Sequence, residues 1–192
     1  MFALVQQGRI VFAPRQRVGL FFSIFPDAAA AARIARVAQH CRRQYGMWGR
    51  SLAASRFHVS LQHLGEFDDI PERFIGEASA AAAAVRMPPF VVRFDSIASF
   101  SGRPGHYPLV LRGEDGVAGS AMLYQALGVA MRKVGLDARL NFTPHVTLLY
   151  GNRRIVEQPV ASISWTVREF ALVLSLIGET KYVLQGRWRL HD

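Results

Sequence analysis

Apolar positions along the chain fall into two kinds of stretch: runs that are continuous or alternate every second residue, and stretches where they recur every three or four. Residues 18–25 form a compact apolar run ended by Pro26, which predicts a buried strand. Asp27 stands in an N-cap position, ahead of an alanine- and arginine-rich helix that runs to about Tyr45 and closes at Gly46 and Gly49. A second strand is predicted over residues 57–64, stopped by Gly65 and Glu66. Pro71 then opens a helix through Ala84, whose alanines from Ala80 to Ala84 predict close packing on a sheet. Residues 90–94 and 109–112 read as strands, joined through the loop around Ser101-Gly102-Arg103-Pro104-Gly105. Met122, Leu123, Leu127 and Ala130 recur at helical spacing within a helix over 119–134. A strand over 145–150 follows, and the tail, residues 165–176 and 182–190, reads as a hairpin turning at Gly178-Glu179. Residues 1–17 are read as an N-terminal extension ahead of a single domain over 18–192.

Two of the predicted strands carry the same string. Phe57-His58-Val59-Ser60-Leu61 and Pro144-His145-Val146-Thr147-Leu148 both place a histidine, an aliphatic residue, a hydroxyl residue and an aliphatic residue in order. In extended chain, residues two apart share a face. Each string therefore sets an imidazole beside a hydroxyl on one surface and turns Val59, Leu61, Val146 and Leu148 to a core. The histidines are separated by nearly half the chain, the spacing a duplicated unit produces. The predicted architecture is α+β: two pseudo-symmetric lobes related by a pseudo-two-fold, antiparallel sheets facing a central cleft, and helices outside. On the same reasoning His63 lies on the face opposite His58 and is structural. His40, His106 and His191 fall on a helix face, in a loop and at the terminus.

Composition narrows the chemistry. At 192 residues, 51% hydrophobic and 19% charged, the chain is an ordered globular protein with ample length for a core. Lys and Arg number 23 against 14 Asp and Glu, a formal charge of +9. Most of this charge is arginine, whose planar fork suits phosphate, so an anionic partner such as RNA or a nucleotide is expected. Cys41 is the single cysteine, so no internal disulfide forms; the chain reads as cytoplasmic, with no membrane partner, and as a monomer. No carboxylate or cysteine stands at ligand spacing near His58, His63 or His145, so neither metal nor cofactor is expected. No Gly-x-Ser-x-Gly elbow supports Ser60 as a nucleophile.

The paired strings, with Leu20-Phe21-Phe22-Ser23-Ile24 before them, the Leu64-Gly65-Glu66 ending of the first, Phe142-Thr143 ahead of the second and Thr180-Lys181-Tyr182 with Trp188 in the tail, resemble the two-histidine (2H) phosphoesterase superfamily. Within it the chain is most similar to the LigT-like RNA 2′,3′-cyclic phosphodiesterases, also called 2′-5′ RNA ligases, over about residues 18–190. The resemblance implies a bilobal fold and metal-independent hydrolysis of a 2′,3′-cyclic phosphate, on an RNA end or a nucleotide, to a 2′-phosphate. Reversible 2′-5′ ligase behaviour is implied as well. It further implies His58 as general acid and His145 as general base, with Ser60 and Thr147 donating to the phosphate oxygens. The residues alone leave the direction of these two roles open. Ser60 stands where threonine is more usual, and Tyr150 stands where the second motif often continues to arginine. The segment 98–108 also departs from the family's pattern.

Arg56, Arg103, Arg153 and Lys181 are candidates for substrate backbone contacts, and Phe57, Tyr150 and Tyr182 for contacts to the base or phosphate. Two further readings stand beside the first. One is a small-molecule cyclic phosphodiesterase, for instance on ADP-ribose 1″,2″-cyclic phosphate. The other is a non-catalytic RNA- or nucleotide-binding module.

Overall fold

The computed structural model describes residues 3–6, 9–12, 16–49 and 51–191. Strands β1 (Ala3–Gln6) and β2 (Arg9–Phe12) pair antiparallel as a two-stranded sheet apart from the rest; the remainder of residues 1–15 of the predicted extension lies outside the described residues. The order then runs β3 (Val18–Ile24), α1 (Ala28–Gln44), β4 (Val59–Phe67), α2 (Glu72–Ala83), β5 (Phe90–Ser99), β6 (Tyr107–Arg112), α3 (Ala118–Lys133), β7 (His145–Gly151), β8 (Gln158–Val167), β9 (Glu169–Leu176) and β10 (Lys181–Arg189). One four-stranded sheet has the order β10-β9-β3-β4 and the other β7-β6-β5-β8, every pairing antiparallel. The predicted two-sheet α+β architecture is thus the one observed.

β3 is buried along its whole length because it lies inside its sheet, between β9 and β4. Val18, Leu20, Phe22 and Ile24 enter the main core, while Phe21 joins Ala171 and Val173 in a small cluster on the opposite face. α1 begins where Asp27 accepts a hydrogen bond from the Ala30 amide at 2.8 Å, and buries Ala30, Ile34, Ala38 and Cys41 at helical spacing. The main core draws on both sheets and all three helices.

Several boundaries differ from expectation, for identifiable reasons. β4 continues through Gly65 and Glu66 to Phe67, because Gly65 takes φ +146°, a conformation open to glycine, and the strand kinks there instead of ending. Residues 165–176 are two strands, not one: β8 ends at Val167, and after Arg168 the chain crosses to the other sheet as β9. The lobes are therefore not sequence halves, since the C-terminal hairpin β9–β10 completes the sheet that β3 and β4 begin. The alanines of α2 pack mainly on α3 and β10, with Ala78, Ala81 and Ala82 buried. Met122 is 60% exposed, because the buried stripe of α3 runs through Ser120, Leu123, Leu127 and Met131. Among the described residues no helix is long and apolar enough to cross a membrane.

Asp27→Ala removes the only side-chain cap of α1. It should lower the unfolding free energy by about 1 kcal/mol in a denaturant titration, without changing the slope.

Candidate active site

The two motif strands share a distortion that shapes the cleft. In the β3–β4 ladder Ser23 pairs with Ser60 and Phe21 with His63, so β4 carries one more residue than β3 over this step. In the β6–β7 ladder Val110 pairs with Thr147 and Leu109 with Leu149, again one extra residue. A bulge of this kind lets two successive side chains point to one side and resets the alternation. Leu61 and Gln62 are accordingly both buried, as are Leu148 and Leu149. The next residue of each strand, His63 and Tyr150, returns to the face of the motif. His63 is thus not on the far face, as strict period-two geometry predicts; it lines the same cleft as His58 and Ser60.

That cleft has a volume of about 360 Å³ and gathers His58, Ser60 and His63 from one lobe with His145, Thr147 and Tyr150 from the other. His58 follows a short 3-10 turn, Ala54–Arg56, and its Nδ1 lies 2.7 Å from the Arg56 carbonyl oxygen. His145 opens β7, with its Nδ1 2.7 Å from the Thr143 carbonyl oxygen. A carbonyl can only accept, so in both neutral rings Nδ1 carries the proton and Nε2 presents a lone pair. The Ser60 hydroxyl donates to His58 Nε2 at 3.0 Å. Aromatic rings wall the imidazoles: Phe21 and Tyr182 stand 5.3 and 5.5 Å from His58, and Phe100 stands edge-on 4.8 Å from His145.

This enclosure governs protonation. Burial pushes His58 down to about 4; the hydrogen bond to the Arg56 carbonyl opposes this, and the positive charges of His145 and Arg56 add to the lowering. Burial likewise holds His145 below the usual histidine value, opposed by the Thr143 carbonyl and assisted by the Arg112 guanidinium. In the free protein at neutral pH both rings are uncharged acceptors, ready to take one proton between them.

The other sequence candidates separate. Arg56 lines the cleft; its guanidinium stacks 4.7 Å from the Tyr182 ring centre and donates to the Tyr182 hydroxyl at 3.2 Å. Its Nε is buried without a partner. Tyr150 lines the cleft and stacks on His106, ring centres 4.5 Å apart, which brings that loop histidine to the rim. Phe57 has no exposed surface: period two turns it into the core opposite His58, so it offers no face to a base. Arg103, paired with His106 in a loop bridge, and the exposed Arg153 and Lys181 are not among the residues lining the cleft. A larger groove of about 680 Å³ lies beyond Tyr182, walled by Phe25, Arg168 and Arg187, and holds none of the imidazoles or hydroxyls of the motifs. Among the described residues no group of three or more His, Cys, Asp or Glu is placed to hold a metal.

Two residues that the sequence pattern did not single out join the lobes. Gln62, displaced inward by the bulge, accepts from the Arg139 amide at 2.9 Å and donates to the carbonyls of Arg139 and Tyr124 at 3.3 and 3.2 Å. It thereby fastens β4 to the segment leading into β7. Gly128 leaves the room: a Cβ there would stand 3.1 Å from the Gln62 amide nitrogen. The signal for Gln62 was a polar residue one position past an alternating apolar strand.

A bilobal α+β fold whose cleft pairs two imidazoles and two hydroxyls defines a two-histidine phosphoesterase. The sequence matches the 2′-5′ RNA ligase superfamily over residues 25–176, and the chain belongs to that family as a LigT-like member. Among solved structures it is similar to Escherichia coli LigT complexed with 3′-AMP, at 27% identity and a TM-score of 0.68, covering 92% of this chain and 100% of that one. It is also similar to TT0787 of Thermus thermophilus, at 21% identity and a TM-score of 0.73, covering 91% and 98%. Kluyveromyces marxianus Usb1 shares the fold at 12% identity and a TM-score of 0.52, covering 90% and 98%. No curated relative matches the chain.

In a histidine-resolved NMR titration of the free protein, His58 should stay uncharged from pH 8 to about 5 and titrate near 4. A midpoint at 6.5 would mean that burial does not govern this ring. Because the folded value lies below the unfolded one, protonation favours the unfolded chain, so stability should fall as pH drops from about 6.5 toward 4.

Proposed function

We propose that the protein hydrolyses a 2′,3′-cyclic phosphate, at an RNA 3′ end or on a nucleotide, to a 2′-phosphate, without a metal. The observation that carries this reading is the pair of imidazoles, both held by backbone carbonyls with Nε2 directed away from the lock, in one cleft with two hydroxyls. Water attacks phosphorus while His145 Nε2 takes its proton; a new P–O bond forms and the bond to the ribose O3′ breaks. His58, protonated at Nε2, gives its proton to O3′. Ser60 and Thr147 donate to the non-bridging oxygens, where negative charge grows. Arg56 supplies the positive charge that arginine at position 150 would otherwise bring. In the reverse direction the two histidines exchange roles, which gives weak 2′-5′ ligation. Escherichia coli LigT has been crystallised with 3′-AMP, phosphate and ATP, which supports a nucleotide as the class of ligand.

The productive form carries one proton on the pair, and both rings have depressed values in the free protein. The fraction holding that proton falls with rising pH. kcat/KM for 2′,3′-cyclic AMP should therefore peak on the acid side of 6.5 and fall about tenfold per pH unit above neutrality. A flat or rising profile between pH 7 and 8 would remove protonated His58 from the mechanism.

His58→Ala and His145→Ala should each cost about 10²–10⁴-fold in kcat. The wild type should retain activity in EDTA and release adenosine 2′-phosphate. Near-normal turnover in either variant overturns the assignment, and a 3′-phosphate product reverses the identity of the leaving oxygen. A 2′,3′-cyclic mononucleotide, an RNA oligomer with a cyclic end and ADP-ribose 1″,2″-cyclic phosphate, compared as substrates, separate the RNA and small-molecule readings.

A further inference from the structure

We propose that His63, which lines the cleft, and Arg139, which stands behind it at the cleft's edge, form a second anion subsite, which takes a phosphate of the substrate other than the one that reacts. The inference rests on the phosphoesterase reading of the His58–His145 pair and names a substrate feature that reading leaves open: a second phosphate about one nucleotide unit away.

The bulge after Ser60 is what brings His63 into the cleft. Arg139 then fixes its state. The Arg139 guanidinium donates to His63 Nδ1 at 3.2 Å, and a guanidinium has no acceptor, so the neutral ring carries its proton on Nε2. His63 is thus the inverse of its two neighbours. His58 and His145 are locked as Nε2 acceptors; His63 is locked as an Nε2–H donor, a group suited to an anion. Burial, with the Arg139 charge adding and Glu66 opposing, holds it below the usual histidine value and keeps it in this neutral form at pH 7.

The Arg139 side chain is exposed, but the backbone that carries it is fixed. Its amide and carbonyl are both clasped by Gln62, and its carbonyl also accepts from the Tyr124 hydroxyl. Adjacent residues of one bulge therefore hold it twice, Gln62 by the backbone and His63 by the side chain. No carboxylate pairs with it among the described residues: Glu66, the acid on the same wall, is engaged with Arg17 at 2.8 Å. The result is a positive charge without an ion-pair partner behind an N–H donor, with the Arg17-bound Glu66 on the same wall.

The position fits a second phosphate. The partners of Ser60 and His63 on β3, Ser23 and Phe21, are two residues apart, which sets the two side chains about 7 Å from one another along the sheet. That is a step on the scale of neighbouring phosphates in a nucleotide chain. The anion is a phosphate on the 5′ side of the reacting nucleotide, either a monoester or the diester to a preceding nucleotide.

Calorimetric titration tests this without turnover, so it stands apart from the catalytic assays. Adenosine 2′-phosphate and adenosine 2′,5′-bisphosphate are titrated into the wild type, His63→Leu, His63→Gln and Arg139→Gln. A dinucleotide ending in a 2′-phosphate presents the same group as a diester. In the wild type the bisphosphate should bind about tenfold more tightly than the monophosphate, with a salt slope steeper by about 1. The ratio should fall to about 1 in His63→Leu and Arg139→Gln, and should be partly restored in His63→Gln, whose amide keeps a donor. Equal loss for both ligands, with the ratio preserved, would mean that the pair only braces the fold. That outcome, or a wild type that does not distinguish the two ligands or binds neither, overturns the proposal. Preference for the dinucleotide over the bisphosphate identifies the diester as the natural ligand; the reverse identifies a terminal phosphate.

Discussion

Two backbone carbonyls set the chemistry of this cleft. The Arg56 and Thr143 oxygens each hold an imidazole by Nδ1, so in the neutral state both Nε2 atoms are acceptors. Neither carbonyl is charged, which distinguishes this arrangement from a histidine backed by a carboxylate. A carboxylate would favour the imidazolium and raise its pKa. A neutral carbonyl orients the ring with far less of that effect, leaving burial to dominate and both rings uncharged. The two rings are thus alike in tautomer and both weakened as bases.

Each strand that carries a histidine is bulged against its neighbour in its own sheet. One extra residue after each hydroxyl sends two consecutive side chains inward. In β7 these are Leu148 and Leu149, and both join the core. In β4 they are Leu61 and Gln62, and the second cannot be satisfied by apolar packing. Its amide instead pairs with the Arg139 backbone in the manner of a strand neighbour, tying the first lobe to the approach of β7. That approach contains Thr143, the residue that orients His145. A buried amide 1% exposed would be costly without partners; with three it links the two halves of the site.

The elements with strong local signals were legible in the sequence: the apolar run of β3, the Asp27-capped α1, the paired motifs and the hairpin β9–β10. Period two matches the His58–Ser60 contact, and His145 and Thr147 line the same cleft. What was not legible depended on departures from that period. A bulge has no residue signature in Ser60-Leu61-Gln62-His63, so strict alternation sends His63 to the wrong face. The break at Arg168 was hidden for a related reason, since Trp165, Val167, Phe170 and Leu172 sustain an apolar pattern across it and only tertiary pairing assigns its two sides to different sheets. Phe57 shows the converse: the same alternation that places His58 in the cleft excludes its neighbour from it.

The distribution of positive charge follows from these departures. A chain of formal charge +9 has arginine to spare, yet the position after the second bulge holds Tyr150, stacked on His106. The pseudo-equivalent position after the first bulge holds His63, backed by Arg139. Arg56 stands at the other end of the first motif, its Nε buried and unpartnered and its plane against Tyr182. Positive charge therefore flanks the first motif on both sides, with Glu66 on the same wall, while at the second motif it stands beside His145 as Arg112 and not at position 150. The two like imidazole locks thus stand in unlike surroundings, one beside Arg56 and Tyr182 and the other beside Arg112 and Phe100.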